Sequence, residues 1–155
     1  MSNLKQLPLH AVHQTAGGKF APFAGYNMPV QYPAGVMTEH LHTRTKAGLF
    51  DVSHMGQLKL PLSAIDALET LLPTDIRGLP IGRQCYSLLT TESGGVLDDL
   101  MIARRQDDYL LVVNASRRDA DLEHLGRHIK DVVTIDDRAL LAVQGPCAEA
   151  VLMPL

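Results

Sequence analysis

Three runs in the middle of the chain restrict its fold more than any other feature. Gln84–Thr90, Val96–Arg104 and Tyr109–Asn114 each read as strands. Glu92-Ser93-Gly94-Gly95 joins the first two, and Gln106-Asp107-Asp108 joins the second and third. Polar connections this short favour antiparallel hairpins. Residues 57–61, Gln-Leu-Lys-Leu-Pro, alternate polar and apolar as a half-buried strand does. Ser63 then reads as a helix N-cap with Asp66 three positions on, and Ile65, Leu68, Leu71 and Leu72 give that helix its apolar face before Pro73 ends it. A second helix is expected after Ser116, with Asp119 at its third position and Leu122, Leu125 and Ile129 on its buried side. Asp131–Asp136 and Ala139–Gln144 read as further strands, and Gly145-Pro146 as a break. Strand, helix, three strands, helix, strand is an α+β order. It predicts a mostly antiparallel sheet with two covering helices.

The N-terminal third is less regular. Residues 1–32 show little periodicity, and Pro22-Phe23-Ala24-Gly25-Tyr26-Asn27-Met28-Pro29 reads as an irregular loop. It must fold back to bury Phe23, Tyr26 and Met28, either as a satellite core or as a pocket wall. Residues 34–47 read as a helix with Val36, Met37, Leu41 and Ala47 near one face, Pro33 at its first turn and Gly48 as its stop. Between that helix and the strand at 57 lies Phe50-Asp51-Val52-Ser53-His54-Met55-Gly56, which puts an acid, a hydroxyl, an imidazole and a thioether into one turn. Such a segment is either a plain polar turn or a place for functional groups. At the other end, Ala148–Leu155 opens like a helix and stops at Met153-Pro154-Leu155, a pattern that predicts a fragment of something longer.

Composition removes several classes. The 155 residues are 46% hydrophobic and 20% charged, which is a globular and not a disordered balance. Net charge is −3 and no basic stripe is present, which argues against nucleic acid as a partner. Apolar runs such as Leu110–Val113 are too short to cross a bilayer, and Met1–Leu9 lacks the pattern of an export or import signal. A cytoplasmic location is therefore expected. Cys85 and Cys147 lie far apart and read as reduced, buried thiols.

The carboxylates at 98 and 99 are the main chemical candidates. On a strand their side chains point to opposite faces, Asp98 with Val96, Leu100 and Ile102, and Asp99 with Leu97, Met101 and Ala103. Both faces are apolar, so both are expected to be covered, and an acid in such surroundings needs a hydrogen bond or a ligand. Turn capping is the alternative for Asp98. Asn114 ends an apolar strand, where it either recognises a ligand or caps the turn into the next helix. Tyr86 reads first as a core tyrosine with a bonded hydroxyl. No Walker loop, Gly-x-Gly-x-x-Gly, Gly-x-Ser-x-Gly or His-Glu-x-x-His motif occurs. His40 and His42 are two apart, wrong for sharing a metal on a helix, and His54 with Asp51 lacks a second histidine at helical spacing, so no metal site is expected.

Several of these blocks together resemble a known family. They are the stretch Pro22–Pro29, Gly48-Leu49-Phe50-Asp51-Val52-Ser53-His54-Met55-Gly56, Tyr86-Ser87, Gly94-Gly95-Val96-Leu97-Asp98-Asp99-Leu100, Val112-Val113-Asn114-Ala115 and Gln144-Gly145-Pro146. In this order they are similar to the N-terminal part of the aminomethyltransferases, the T-proteins of the glycine cleavage system; folate-dependent sarcosine and dimethylglycine oxidising enzymes share much of the pattern. Tyr26 departs from the tryptophan many members carry. The resemblance implies transfer of a one-carbon unit from an aminomethyl-lipoyl carrier, the H-protein, to tetrahydrofolate, with release of ammonia. It implies that Asp99 is the catalytic acid that stabilises the cationic species as ammonia departs, and that Met55, Tyr86 and Asn114 contact folate. It further implies that residues 1–50 with 138–155 form the first part of a discontinuous, here incomplete, folate-binding domain. Residues 51–137 would be an inserted α+β subdomain related to ferredoxin-like folds, and the family's C-terminal barrel domain is missing. The apolar surface so exposed favours self-association. A non-catalytic folate-binding module of the same family is the alternative function.

Overall fold

The computed structural model describes residues 4–155. In chain order its elements are α1 (His10–Thr15), β1 (Lys19–Phe23), β2 (Tyr26–Gln31), α2 (Val36–Thr45), β3 (Gly48–Asp51), β4 (Gly56–Pro61), α3 (Ile65–Leu71), β5 (Gln84–Thr90), β6 (Val96–Arg104), β7 (Asp108–Val113), α4 (Arg118–His128), β8 (Val133–Thr134), β9 (Leu141–Gln144) and α5 (Ala148–Leu152). They fall into two compact units. The first runs to His54 and resumes at Arg138–Leu155; the second is Met55–Asp137.

The second unit is built on one five-stranded antiparallel sheet in the order β5-β6-β7-β4-β8. The pleat sorts its side chains cleanly. Leu58, Leu60, Leu89, Leu100, Ile102, Tyr109, Leu111 and Val113 share one face, and all are buried together with Leu68, Leu71, Leu72, Leu125 and Ile129 from the helical segments. Each such side chain removed from water contributes roughly 1.5–3 kcal/mol. This single apolar layer holds α3 and α4 on one face of the sheet. No helix of the unit lies across the opposite face, where Tyr86 and Asp99 are exposed.

The antiparallel sheet and its two helices agree with the α+β expectation, but both helix caps differ. A short 3-10 turn at Leu62–Ala64 precedes α3, so Ser63 lies inside that turn and not at a cap. Asp66 pairs with Arg77 instead of closing a capping box. Likewise α4 begins at Arg118, one residue later than a Ser116 cap requires, and no side chain caps it. Local cap signals lost here to tertiary constraints: Arg118, the first residue of α4, pairs with Asp136. Of the expected strand at 131–136 only Val133–Thr134 pairs, with Leu58 and Lys59 of β4.

The first unit has two small sheets, β1-β2 and β3-β9, both antiparallel. The segment expected as an irregular loop is the β1–β2 hairpin. Its two-residue turn, Ala24-Gly25, has φ of 47° and 82°, the double positive φ that a tight primed turn requires. Alanine at the first of these positions hides the turn from a reading based on Asn-Gly or Asp-Gly signals. Met28 is buried as expected, whereas Phe23 is exposed. The helix expected at 34–47 is shorter, because Pro33 precedes it and Gly48 opens β3 instead of ending a helix. None of its residues is buried; Val36, Met37 and Leu41 are exposed, Met37 by 70%. The predicted apolar face is therefore largely open to solvent. Cys85 and Cys147 are free and half-buried, not fully enclosed.

Candidate functional site

Sheet register assembles the sequence-predicted residues of the second unit. Leu88 pairs with Asp99 across β5 and β6. The Leu100–Val113 and Gly56–Val113 pairs put Asn114 and Met55 one step beyond the ends of β7 and β4, level with Asp99. Asp99, Asn114 and Met55 thus form one row across three neighbouring strands, inside β6 and just past the ends of β7 and β4. Tyr86 on β5, paired with Met101, is a diagonal neighbour of Asp99 on the same face.

One hydrogen-bonded amide ties the acids together. The Asn114 Nδ2 group donates to Asp99 Oδ1 and to Asp98 Oδ1, each at 3.0 Å, and lies 3.3 Å from the Asp99 carbonyl oxygen. Tyr86 lies near enough to the Asp99 carboxylate to feel its charge. Loss of hydration around the hydroxyl, together with the charge of Asp99, raises the Tyr86 pKa above its ordinary value, although the residue is 59% exposed. Tyr86 is thus a surface residue of the site and not a core tyrosine. Met55 is half-buried at the start of β4.

Both carboxylates are expected to be covered, but only one is. Asp99 is exposed, because no layer of its own unit covers its face of β6. Asp98, on the face of Leu100 and Ile102, is the half-buried one, and its Oδ2 is shut away from water. It caps no turn. Beside it stands Asp121 of α4, 1% exposed. Burial first, then the neighbouring Asp98 carboxylate, push Asp121 up to about 7 against the opposing pull of Arg117. Sequence reasoning missed Asp121. The signal was present, since Asp121, Leu125 and Ile129 recur at a spacing of four and mark the buried stripe of α4.

The turn at Phe50–Gly56 belongs partly to the first unit, where it carries a second polar cluster. His13 Nε2 lies 2.7 Å from Asp51 Oδ2, and His13 Nδ1 lies 2.6 Å from the Tyr32 hydroxyl. With the proton on Nε2, the ring donates to Asp51 and accepts from Tyr32. The Ser53 N–H closes a tight turn onto Asp51 Oδ1 at 2.9 Å. The Asp51 side chain is 1% exposed. Burial alone would raise its pKa, but the hydrogen bonds from His13 and Ser53 outweigh it, and the pKa lies below the usual carboxylate value. Burial lowers the pKa of His54, which meets Phe23 edge-on at 5.6 Å. A cleft of about 740 Å³ in this unit is lined by Tyr32, Glu39, Phe50, Asp51 and His54 among others. Asp99, Tyr86, Asn114 and Met55 do not line it. Among the described residues, no three His, Cys, Asp or Glu side chains are grouped as metal ligands are, and no helix is long and apolar enough to cross a membrane.

An antiparallel α+β protein with an acid–amide row across its sheet is the class defined by these features. Comparison narrows it. The sequence model of the GCVT N-terminal domain matches residues 9–155, and the chain belongs to that family. It is 41% identical over 163 residues to the mitochondrial aminomethyltransferase of Dictyostelium discoideum, covering 97% of this chain and 40% of that protein. It is 46% identical over 157 residues to the aminomethyltransferase of Rubrobacter xylanophilus, covering 97% and 42% respectively. The crystal structure of glycine cleavage system aminomethyltransferase T from Bartonella henselae superimposes with a TM-score of 0.89 at 44% identity, over 98% of this chain and 44% of that one. The chain thus spans about two-fifths of the length of the relatives it matches.

Proposed function

We propose that the chain serves the transfer of a one-carbon unit from an aminomethyl-lipoyl carrier, the H-protein, to tetrahydrofolate, with ammonia as the second product. The observation that carries this reading is the Asp99 carboxylate, exposed on the uncovered face of the sheet and held by Asn114, with Tyr86 beside it. The amide donor presets the position of its oxygens before a substrate arrives. A carboxylate so fixed stabilises positive charge that develops as ammonia leaves, and it does so without rearranging. Asn114 and Tyr86 double as folate contacts, and Met55, next in the row, supplies an apolar wall. Support comes from the names of the relatives, which are aminomethyltransferases at 41–46% identity across nearly the whole chain. In this reading the first unit is part of a discontinuous folate-binding domain and the second is inserted into it. The exposed Val36, Met37 and Leu41 support association with a second copy.

The test is ammonia release from aminomethyl-lipoyl carrier in the presence of tetrahydrofolate, compared with Asp99→Asn. Loss of about 100-fold or more in rate with unchanged folding is expected, in line with removal of one preorganised electrostatic group. Folate binding that survives while ammonia release is absent from both proteins would favour the non-catalytic binding module. Equal rates for the two proteins would remove Asp99 from the mechanism.

A further inference from the structure

Asp121 has no part in the site as drawn from the sequence, yet it is among the most buried polar side chains described. Its Oδ2 and the Oδ2 of Asp98 are both buried and meet no N–H donor or hydroxyl. Two carboxylates cannot satisfy each other, because each only accepts. One proton between them resolves the conflict: a neutral acid donates and a carboxylate accepts. The other oxygen of Asp98 accepts from Asn114, and the same amide nitrogen grips Asp99. A path therefore runs from the helix side of the sheet to its exposed face: Asp121, Asp98, Asn114, Asp99.

We propose that Asp121 is a positioning residue: as a neutral acid it donates to Asp98, and through Asp98 and Asn114 it fixes the Asp99 carboxylate on the exposed face. The physical reason is that Asp98 alone would carry an unshared charge on the covered face, where it would compete for every donor in reach, including both hydrogens of the Asn114 amide. A hydrogen bond from Asp121 satisfies Asp98 Oδ2 and leaves the second amide hydrogen for Asp99. Loss of the shared proton puts two negative charges side by side in a poorly hydrated space, and Asp98 then draws on Asn114 at the expense of Asp99. The charged groups acting on Asp121 are Asp98 from β6 and Arg117 at the start of α4. The other titratable side chains on the covered face of the sheet are Cys85 on β5, Arg104 on β6 and Tyr109 on β7. Burial and Asp98 keep the proton on Asp121 up to about 7, so the arrangement loosens across neutral pH.

The inference rests on the folate reading only for its ligand arm, and the test has two readouts for that reason. The first is the side-chain amide resonance of Asn114 in the full chain, followed by NMR from about pH 5 to about pH 9 alongside the aspartate carboxyl carbons. We expect the Asn114 signals to move with a midpoint near that of Asp121, and Asp121→Asn, which always donates, to keep them at their acid-form positions throughout. Asp121→Leu, which cannot donate, should show the high-pH signals at every pH; if it does not fold, Asp121→Asn still decides the matter. The second readout is tetrahydrofolate affinity, expected to weaken by up to about tenfold per pH unit above the midpoint for one linked proton, and to stay flat in Asp121→Asn. Absence of folate binding in all proteins, with the Asn114 titration intact, would overturn the folate reading and leave the positioning role standing. Asn114 signals that ignore pH, or that titrate alike in wild type and Asp121→Asn, would overturn the positioning role.

Discussion

Replacing Asp121 by asparagine should make the second unit more stable at alkaline pH, an unusual outcome for a change at a 1% exposed position. The sign follows from where the proton sits. Asp121 has its pKa raised from 3.8 to about 7 in the fold. Between those values the folded chain holds a proton that the unfolded chain has released, so stability falls as pH rises through this window and the full cost is present above it. About three pH units at about 1.4 kcal/mol each give a ceiling of about 4 kcal/mol. From pH 5 upward about two of those units remain, or about 3 kcal/mol. Asparagine keeps the hydrogen bond to Asp98 and removes the titration. The assay is urea denaturation followed by far-ultraviolet circular dichroism at several pH values between about 5 and about 9. Wild type and variant are compared at each pH, which cancels the contributions of His54 and His124. Both have depressed pKa values and pull the other way, losing stability as pH falls. The gap between the two proteins should widen by about 2–3 kcal/mol from acid to alkaline conditions. Parallel curves across the whole range would refute the shared proton.

Other outcomes follow from the packing. Asp51→Ala leaves the buried His13 ring and the Ser53 N–H without an acceptor and should cost roughly 2–4 kcal/mol in the first unit at neutral pH. Because the Asp51 pKa is depressed, that stabilisation is present above the unfolded carboxylate range and disappears as pH falls through the folded value, so wild type and variant should converge in acid; urea midpoints measure this. Gly145→Ala puts a Cβ 2.5 Å from the carbonyl oxygens of Thr43 and Lys46 at a φ of 119°. Backbone cannot yield there, and thermal unfolding should report a loss of at least roughly 1–3 kcal/mol. Leu111→Ala empties part of the fully buried layer of the second unit and should cost about 2–5 kcal/mol by the same measurement; a loss under about 1 kcal/mol would mean that the layer collapses onto the gap.

The strands β5 and β6 were legible in the sequence to the residue, because hairpin connections and two-residue alternation are local signals that sheet pairing reinforces. The family resemblance named Asp99, Asn114, Tyr86 and Met55 as candidates, and strand register brings them to neighbouring positions. Other features could not be read in this way. The Ala24-Gly25 turn carries an atypical first residue, and both helix caps were displaced by contacts made elsewhere, such as Arg118 with Asp136. Alternation alone determined that the second unit forms an antiparallel sheet with two helices, since it depends only on neighbours along the chain. Which face those helices cover was decided in three dimensions. That choice left Asp99 in the open, enclosed Asp98, and brought Asp121 against it across the packed layer, because burial of a side chain depends on what lies opposite it and not on the residues beside it.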